Sequence, residues 1–302
     1  MREGCAATSR ASGEPTAGTA SRARRWLLVE HPGPWGADVL HDGTLPAAVA
    51  DHLRELATAL PARVLLIRRP VERRRGANAV FAGVTAGSTR WLEHRELADL
   101  RELVDLDLRP LGEHRSLGWE PVTTSTYLVC TNGRHDACCA ELGRPVVDEL
   151  SPLLGDALWE CSHVGGDRFA GNLVVLPAGA FYGHLDPASA RQVVHAHARG
   201  EVDLEHWRGW CDRPFPVQAA EAAVRARLGA TAADALAVER VERLDPARLA
   251  VAVRTRTGGR FHAVVRTAPA AEARALTCGD APGRPPTHHL ESFEEILPGA
   301  RG

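Results

Sequence analysis

The sequence predicts an α/β protein with two consecutive α/β units of similar size, at 25–118 and 119–210, and a smaller α+β extension at 211–302. Three observations lead to this fold class. Short apolar strands alternate with segments of helical periodicity, which is typical of parallel strands joined by crossover helices. The order strand, helix, strand and further strands occurs twice. After 210 the pattern changes to strands around the pair Gly258-Gly259, a hairpin signal that favours an antiparallel sheet.

The first unit is predicted to follow an unstructured tail. Residues 1–24 are rich in Ala, Ser, Thr, Gly and Arg and lack hydrophobic periodicity, so they are predicted to be disordered, and Cys5 within them is given no role. Apolar residues at helical spacing predict a helix at 45–60, with Pro46 in its first turn. Strands are predicted at 26–30, 63–68, 79–85 and 90–94.

The second unit repeats this order. A β-branched run predicts a strand at 123–130, and Asp136 is the predicted N-cap of a helix at 136–154. The remaining elements of this unit are predicted strands at 158–163, 173–177 and 179–185 and a helix at 187–197. A further helix is predicted at 202–210, at the end of this unit. The extension is predicted to contain a helix at 216–228, strands at 235–244, 249–256 and 259–266, and a loop at 282–286.

Charge, hydropathy and cysteine usage narrow the classes of function. The net charge of −2 gives no reason to expect nucleic acid or an acidic membrane as partner. No run approaches the roughly 20 apolar residues of a membrane helix, and no apolar signal segment follows the start, so a cytoplasmic protein is expected. The cysteines are odd in number, 7, and several are closely spaced. In a reducing compartment this favours metal binding or redox chemistry over structural disulfides.

Two cysteine-containing segments lie at neighbouring strand ends of the second unit. One runs from Cys130 to Cys139, and the other runs from Cys161 through His163 to Asp167. The carboxyl ends of parallel strands meet at one sheet edge, where open α/β sheets bind their ligands, and a helix start there favours thiolates. Cysteine, histidine and aspartate suit soft and borderline metals. The two segments therefore predict a metal or redox site.

Further residues of these segments are expected to surround the bound group. Gly165 and Gly166 allow the backbone to approach a bulky inorganic group, and their N–H groups can donate to sulfide. We also expect Arg168 and Asn172 to contact the cofactor. Three side chains are given no ligand role: His135, a loop neighbour with at most a hydrogen bond to a ligand, and the isolated Cys211 and Cys278.

Two longer motifs resemble a known family. These are Cys-Thr-Asn-Gly-Arg-His-Asp-Ala-Cys-Cys at 130–139 and His-Val-Gly-Gly-Asp-Arg-Phe-Ala-Gly-Asn at 163–172, followed by Leu-Val-Val-Leu-Pro. They resemble the sucrase/ferredoxin-like family over about 25–210. The resemblance implies two thioredoxin-like units, the second of which is a ferredoxin unit with a 2Fe-2S cluster held by two cysteines and two histidines.

Transferred to this sequence, the resemblance implies that Cys130, Cys139 and His163 bind the cluster. Asp167 stands where the family has its second histidine, four residues after the first. The fourth ligand stays open among three side chains: Asp167, Cys161 and Cys138.

The function that the resemblance implies is electron transfer. The protein would exchange single electrons with redox partner proteins, a reductase and an electron acceptor. One alternative is a thiol-disulfide or peroxide-reducing enzyme that uses Cys130 with Cys139 or Cys138 as attacking and resolving thiols. Another is a structural zinc module with the same ligands. No paired carboxylates argue for glycoside hydrolysis.

Overall fold

The computed structural model describes residues 4–70, 78–87 and 89–296, which form a ten-stranded mixed sheet and a separate four-stranded antiparallel sheet. The helices are α1 (Cys5–Ala11), α2 (Ala47–Ala59), α3 (Arg109–Gly112), α4 (Ala137–Leu154), α5 (Pro187–Ala198) and α6 (Phe215–Leu228). The large sheet contains β1 (Arg25–Glu30), β2 (Ala62–Arg68), β3 (Asn78–Val84), β4 (Trp91–Leu97), β5 (Glu120–Pro121), β6 (Thr126–Cys130), β7 (Leu158–Cys161), β8 (Leu173–Leu176), β9 (Ala180–Tyr182) and β10 (Trp207–Trp210). The small sheet contains β11 (Leu236–Arg243), β12 (Arg248–Thr255), β13 (Arg260–Pro269) and β14 (Pro286–Glu295). This mixture of helices and strands confirms the predicted α/β class.

The large sheet consists of two halves with the same strand arrangement. In the first half, β1 pairs in parallel with β2 and antiparallel with β3, which pairs with β4. In the second half, β6 pairs in parallel with β7 and antiparallel with β8, which pairs with β9. Helices α2 and α4 connect the parallel strands, and the halves join where β2 runs antiparallel to β7. The element order that repeats in the sequence therefore repeats in space.

The two faces of the large sheet bury different sets of side chains, because successive residues of a strand point to opposite faces. On one face, α2 covers the first half with Val49 and Leu53, and α4 covers the second half with Val146 and Leu150. On the other face, one core joins both halves. This core includes Trp26, Trp159, Phe181, Cys130, Cys139, Cys161 and Cys211. Several predicted site residues thus lie in the core that the halves share.

The prediction that residues 1–24 form a disordered tail is wrong for residues 4–24, because these residues pack against the second half of the large sheet. Helix α1 contacts the 3₁₀ turn at Asp167–Phe169, and Arg10 donates to the carbonyl oxygens of His184 at 2.8 Å and Ala170 at 3.0 Å. The Gly18 N–H donates to the Arg208 carbonyl at 2.9 Å. These partners lie far away in sequence, so a local reading of hydropathy does not reveal them.

The end of the second unit and the extension also differ in part from the prediction. Residues 202–210 contain strand β10, which pairs with β9, rather than a helix. Trp207 and Trp210 are buried there, and Trp210 Nε1 donates to Glu221 of α6 at 3.0 Å. Tertiary packing therefore determines the secondary structure of this segment, despite its weak helical periodicity. Strand β14 pairs with β13 and begins in the segment predicted as a loop. Helix α6 and strands β11 to β13 occupy the predicted positions.

Candidate metal centre

Three local structures bring the predicted site residues together. Strand β6 ends at Cys130, which is the register partner of Cys161 at the end of the parallel strand β7. Asp136 caps α4 by accepting the Cys138 N–H at 2.9 Å, and this cap places Cys139 in the first helical turn. The chain after β7 then turns through His163 back toward the helix.

The side chains of the predicted ligands converge at this edge. The Sγ atoms of Cys130 and Cys139 and a ring nitrogen of His163 all lie within 4.8 Å of one another. Asp167 Oδ1 lies 3.2 Å from Cys139 Sγ and 2.9 Å from His163 Nδ1. Both cysteines are 1% exposed and Asp167 is 2% exposed. The structure therefore joins thiol, imidazole and carboxylate donors in one largely buried group.

His163 Nδ1 is the imidazole atom of this group that faces Asp167. This nitrogen is buried and has no hydrogen bond, because the short approach to Asp167 Oδ1 lacks the alignment of one. Burial acts to lower the pKa of His163, but Asp167 and Cys130 raise it by more, to about 9. The protonated Nδ1 therefore faces Asp167 Oδ1 as an ion pair at 2.9 Å. A metal ion in place of this proton would keep a positive charge beside the carboxylate and the Cys130 thiolate, so the donor set fits a metal group.

The two thiols affect each other's ionisation. Interaction with the Cys139 thiol, opposed by burial and assisted by His163, holds the pKa of Cys130 well below its usual range. Interaction with Cys130, together with burial and Asp167, raises the pKa of Cys139 above its usual range. One thiolate is thus favoured before a metal binds, and metal binding would release the proton of Cys139.

His135 also belongs to this group, although the sequence places it only as a loop neighbour. Its ring stacks on that of His163 with 3.7 Å between centroids, and its Nε2 lies 3.6 Å from Asp167 Oδ2. Its Nδ1 lies 3.0 Å from the Ala37 carbonyl oxygen. A carbonyl only accepts, so Nδ1 carries a hydrogen and donates to it. The one signal in the sequence is its place in the 130–139 motif.

The other two candidates for the fourth ligand lie elsewhere. Cys138 Sγ points in a different direction from Cys139 Sγ and lies 3.4 Å from Cys278 Sγ. Cys161 is fully buried in the core that the two halves share. Among the described residues, neither sulfur joins the group formed by Cys130, Cys139 and His163.

The residues predicted to line the cofactor hold the turn after β7. Gly165 and Gly166 have φ angles of +89° and +81°, and a Cβ on Gly166 would lie against the Arg208 guanidinium, 3.0 Å from its Cζ. Asn172 donates to the Gly166 carbonyl at 2.9 Å. Arg168 pairs with Glu14 at 2.9 Å and thereby ties the turn to the N-terminal segment.

Arg208 places a buried positive charge beneath this turn. It is 1% exposed, and its guanidinium donates to the Gly165 carbonyl at 2.9 Å, to Asn172 Oδ1 at 2.7 Å and to the Thr19 carbonyl at 2.6 Å. Burial lowers its pKa to about 9. Arg63 lies nearby and donates to the His163 carbonyl at 3.0 Å. Two cations beside buried thiols stabilise negative charge at the site.

Fold and site together define an α/β protein with a thiol- and imidazole-rich candidate metal centre. The chain belongs to the sucrase/ferredoxin-like family, whose model matches residues 16–209 and so includes both halves of the large sheet. No curated protein and no solved structure matches the chain. Within the described ranges, every helix is too short or too polar to span a bilayer.

Proposed function

We propose that this protein binds a 2Fe-2S cluster and transfers single electrons between redox partner proteins. The observation that carries the proposal is the group formed by Cys130, Cys139, His163 and Asp167, in which two buried thiols, an imidazole and a buried carboxylate converge at the start of α4. Thiolate and imidazole ligands are those of Rieske-type clusters, and such a cluster, when bound, supplies one-electron oxidation and reduction.

Each side chain of the group has a proposed role. Cys130 and Cys139 supply thiolates, and His163 supplies Nδ1. Asp167 supplies the fourth ligand, because its Oδ1 already lies beside both Cys139 Sγ and His163 Nδ1. His135, whose Nε2 faces Asp167 Oδ2, is the other candidate for this position.

This ligand set has a consequence for the reduction potential. Two thiolates and one carboxylate around an oxidised core of charge +2 give a net charge of −1. A neutral fourth ligand such as His135 would give zero instead. Because fewer negative charges favour reduction, we expect a potential between those of all-cysteine ferredoxins and Rieske centres. The buried guanidinium of Arg208 offsets part of the negative charge.

The site offers a route for electrons to the surface. The side chains of His135 and His163 are 32% and 26% exposed, whereas the two cysteines are buried. Both rings line a surface pocket whose rim also contains Asp38 and Asp280. We propose that the reductase and the electron acceptor dock over this pocket with basic surfaces, since complementary charge speeds encounter.

Burial argues against a thiol enzyme. A thiol that attacks a disulfide or a peroxide must reach its substrate, and both Cys130 and Cys139 are only 1% exposed. A structural zinc ion would accept the same ligands. Zinc and dithiol forms are colourless, whereas an oxidised 2Fe-2S protein is brown-red, so an optical spectrum separates these functions.

The test is an anaerobic visible spectrum of the full chain with iron and sulfide assays. We expect visible absorption and about two irons and two sulfides per chain. Cys130→Ser should lose them, whereas Cys211→Ser should keep them, because Cys211 is a buried thiol whose partner is Thr85. Comparison of Asp167→Ala with His135→Ala identifies the fourth ligand by which variant alters the reduced spectrum. A colourless protein without iron or sulfide after anaerobic reconstitution would refute the proposal.

A further inference from the structure

A second group of metal-binding side chains lies at the α4 N-terminus. It consists of Cys5 from α1, Asp136 and Cys138 from the start of α4, and Cys278 from the loop between β13 and β14. The donor atoms of all four lie within 4.8 Å of one another. Cys5 and Cys278 are separated by 273 residues in sequence. Three distant segments therefore meet at one cluster of thiols and a carboxylate.

The distances within this group match the edges of a tetrahedron around one metal ion. The sulfur atoms lie 3.4 Å apart for Cys138 and Cys278, 3.6 Å for Cys278 and Cys5, and 3.8 Å for Cys5 and Cys138. The Asp136 oxygens lie 3.7 and 3.8 Å from Cys5 Sγ. With Zn–S bonds of about 2.3 Å and Zn–O bonds of about 2.1 Å, tetrahedral edges are about 3.8 Å between sulfurs and about 3.6 Å from sulfur to oxygen.

Backbone contacts hold these side chains in place. The Cys278 N–H donates to Asp136 Oδ2 at 2.6 Å, and the Cys5 N–H donates to Cys278 Sγ at 3.4 Å. The Cys138 N–H donates to the other Asp136 oxygen at 2.9 Å. Burial and the Asp136 carboxylate raise the pKa of the Cys5 thiol. The backbone donors fix the carboxylate and the sulfur of Cys278 relative to the other two cysteines.

We propose that Cys5, Cys138, Cys278 and Asp136 hold one thiophilic divalent metal ion, of which Zn²⁺ is the representative, as a structural centre. The ion replaces the three thiol protons, which pass to solvent, and no electron is transferred. Three thiolates and one carboxylate oxygen complete the tetrahedral coordination of one such ion. The consecutive Cys138 and Cys139 thus serve two different centres at the start of one helix.

The position of this centre gives it a structural task. Helix α1 packs on the Asp167–Phe169 turn, and residues Thr277 and Gly279 line the pocket into which His135 and His163 open. One ion bound to α1, α4 and the 277–280 loop fixes the segments that border the first site. This inference does not depend on the chemistry proposed for that first site.

Cobalt titration of the full chain tests the second centre. All variants for this titration are made in a Cys130→Ser background, which disables the first site. Co²⁺ is the probe because thiolate ligands give bound Co²⁺ charge-transfer absorption. We expect about one Co²⁺ per chain with tetrahedral thiolate bands. Cys278 is exposed, so Cys278→Ser removes no buried packing. Adding this substitution should weaken Co²⁺ binding by more than tenfold, since even residues that only hydrogen-bond to a metal ligand change metal affinity about 10- to 100-fold. Adding Cys211→Ser instead should change nothing.

Native mass spectrometry of the otherwise unaltered chain and of Cys278→Ser provides a second readout. We expect one zinc ion in the former and none in the latter, with equal iron and sulfide content in both. Failure of the 2Fe-2S proposal would change the iron result and leave the zinc result as it is. The inference is overturned if Cys278→Ser binds Co²⁺ as tightly as the Cys130→Ser background does, or if anaerobically prepared protein contains a disulfide among these cysteines and no metal.

Discussion

Replacing Gly166 by alanine should destabilise the turn below the first site. The backbone at Gly166 has φ +81°, which costs a non-glycine residue about 1–2 kcal/mol. The added Cβ would also collide with the Arg208 guanidinium. Arg208 cannot yield easily, because it is hydrogen-bonded to Gly165, Asn172 and Thr19. Loss of one charge-assisted hydrogen bond adds about 1.5–3 kcal/mol. The expected decrease in the free energy of unfolding is therefore about 2.5–5 kcal/mol.

Gly200→Ala is the matched control for this substitution. Gly200 has φ +73°, and a Cβ there would meet no atom within 4 Å, so only the backbone cost of about 1–2 kcal/mol applies. Urea denaturation of both variants, with iron analysis after reconstitution, separates backbone strain from displacement of Arg208. Gly166→Ala should also lose iron, although no proposed ligand is removed. Equal stability of the two variants within about 0.5 kcal/mol would refute the role given to Arg208.

Two further predictions concern stability. Glu221→Ala should reduce the free energy of unfolding by about 3–5 kcal/mol in urea denaturation, because it leaves the fully buried Arg225 without its carboxylate. The control Arg254→Ala breaks an exposed ion pair and should change the free energy of unfolding by less than about 0.5 kcal/mol. Similar effects of the two substitutions would contradict this prediction. Burial and Arg10 lower the pKa of His184 to about 4, so protons bind preferentially to the unfolded chain below its usual value of 6.5. The free energy of unfolding should decrease as the pH falls from 6.5 to 4. His184→Gln should reduce the decrease measured between pH 7 and pH 5 by about 1–2 kcal/mol. An unchanged pH dependence in this variant would disprove the role given to His184.

The duplicated α/β pattern could be predicted because each half carries its own local signals. Strands such as 123–130 are β-branched, and Asp136 stands at a helix start where its side chain caps the backbone. Helix α1 could not be predicted in this way. It depends on hydrogen bonds from Arg10 to carbonyl groups more than a hundred residues away, and such partners leave no local trace.

The same distinction applies to the sites. Cys130, Cys139 and His163 come together because strand ends and a helix start fix their positions over short stretches of chain. His135 was missed as a member of the group because its approach depends on the loop conformation that also brings it to the Ala37 carbonyl. Cys278 looked isolated because its partners come from segments distant in sequence.

Electron paramagnetic resonance of the reduced full chain tests the central claim most directly. The proposed 2Fe-2S centre predicts one unpaired spin for about two irons and two sulfides. The adjacent cysteines provide the matched pair of variants: Cys139→Ser should abolish the signal, whereas Cys138→Ser, whose sulfur faces Cys278, should keep it. Absence of the signal from a reconstituted chain, or its equal loss in both variants, would contradict the account.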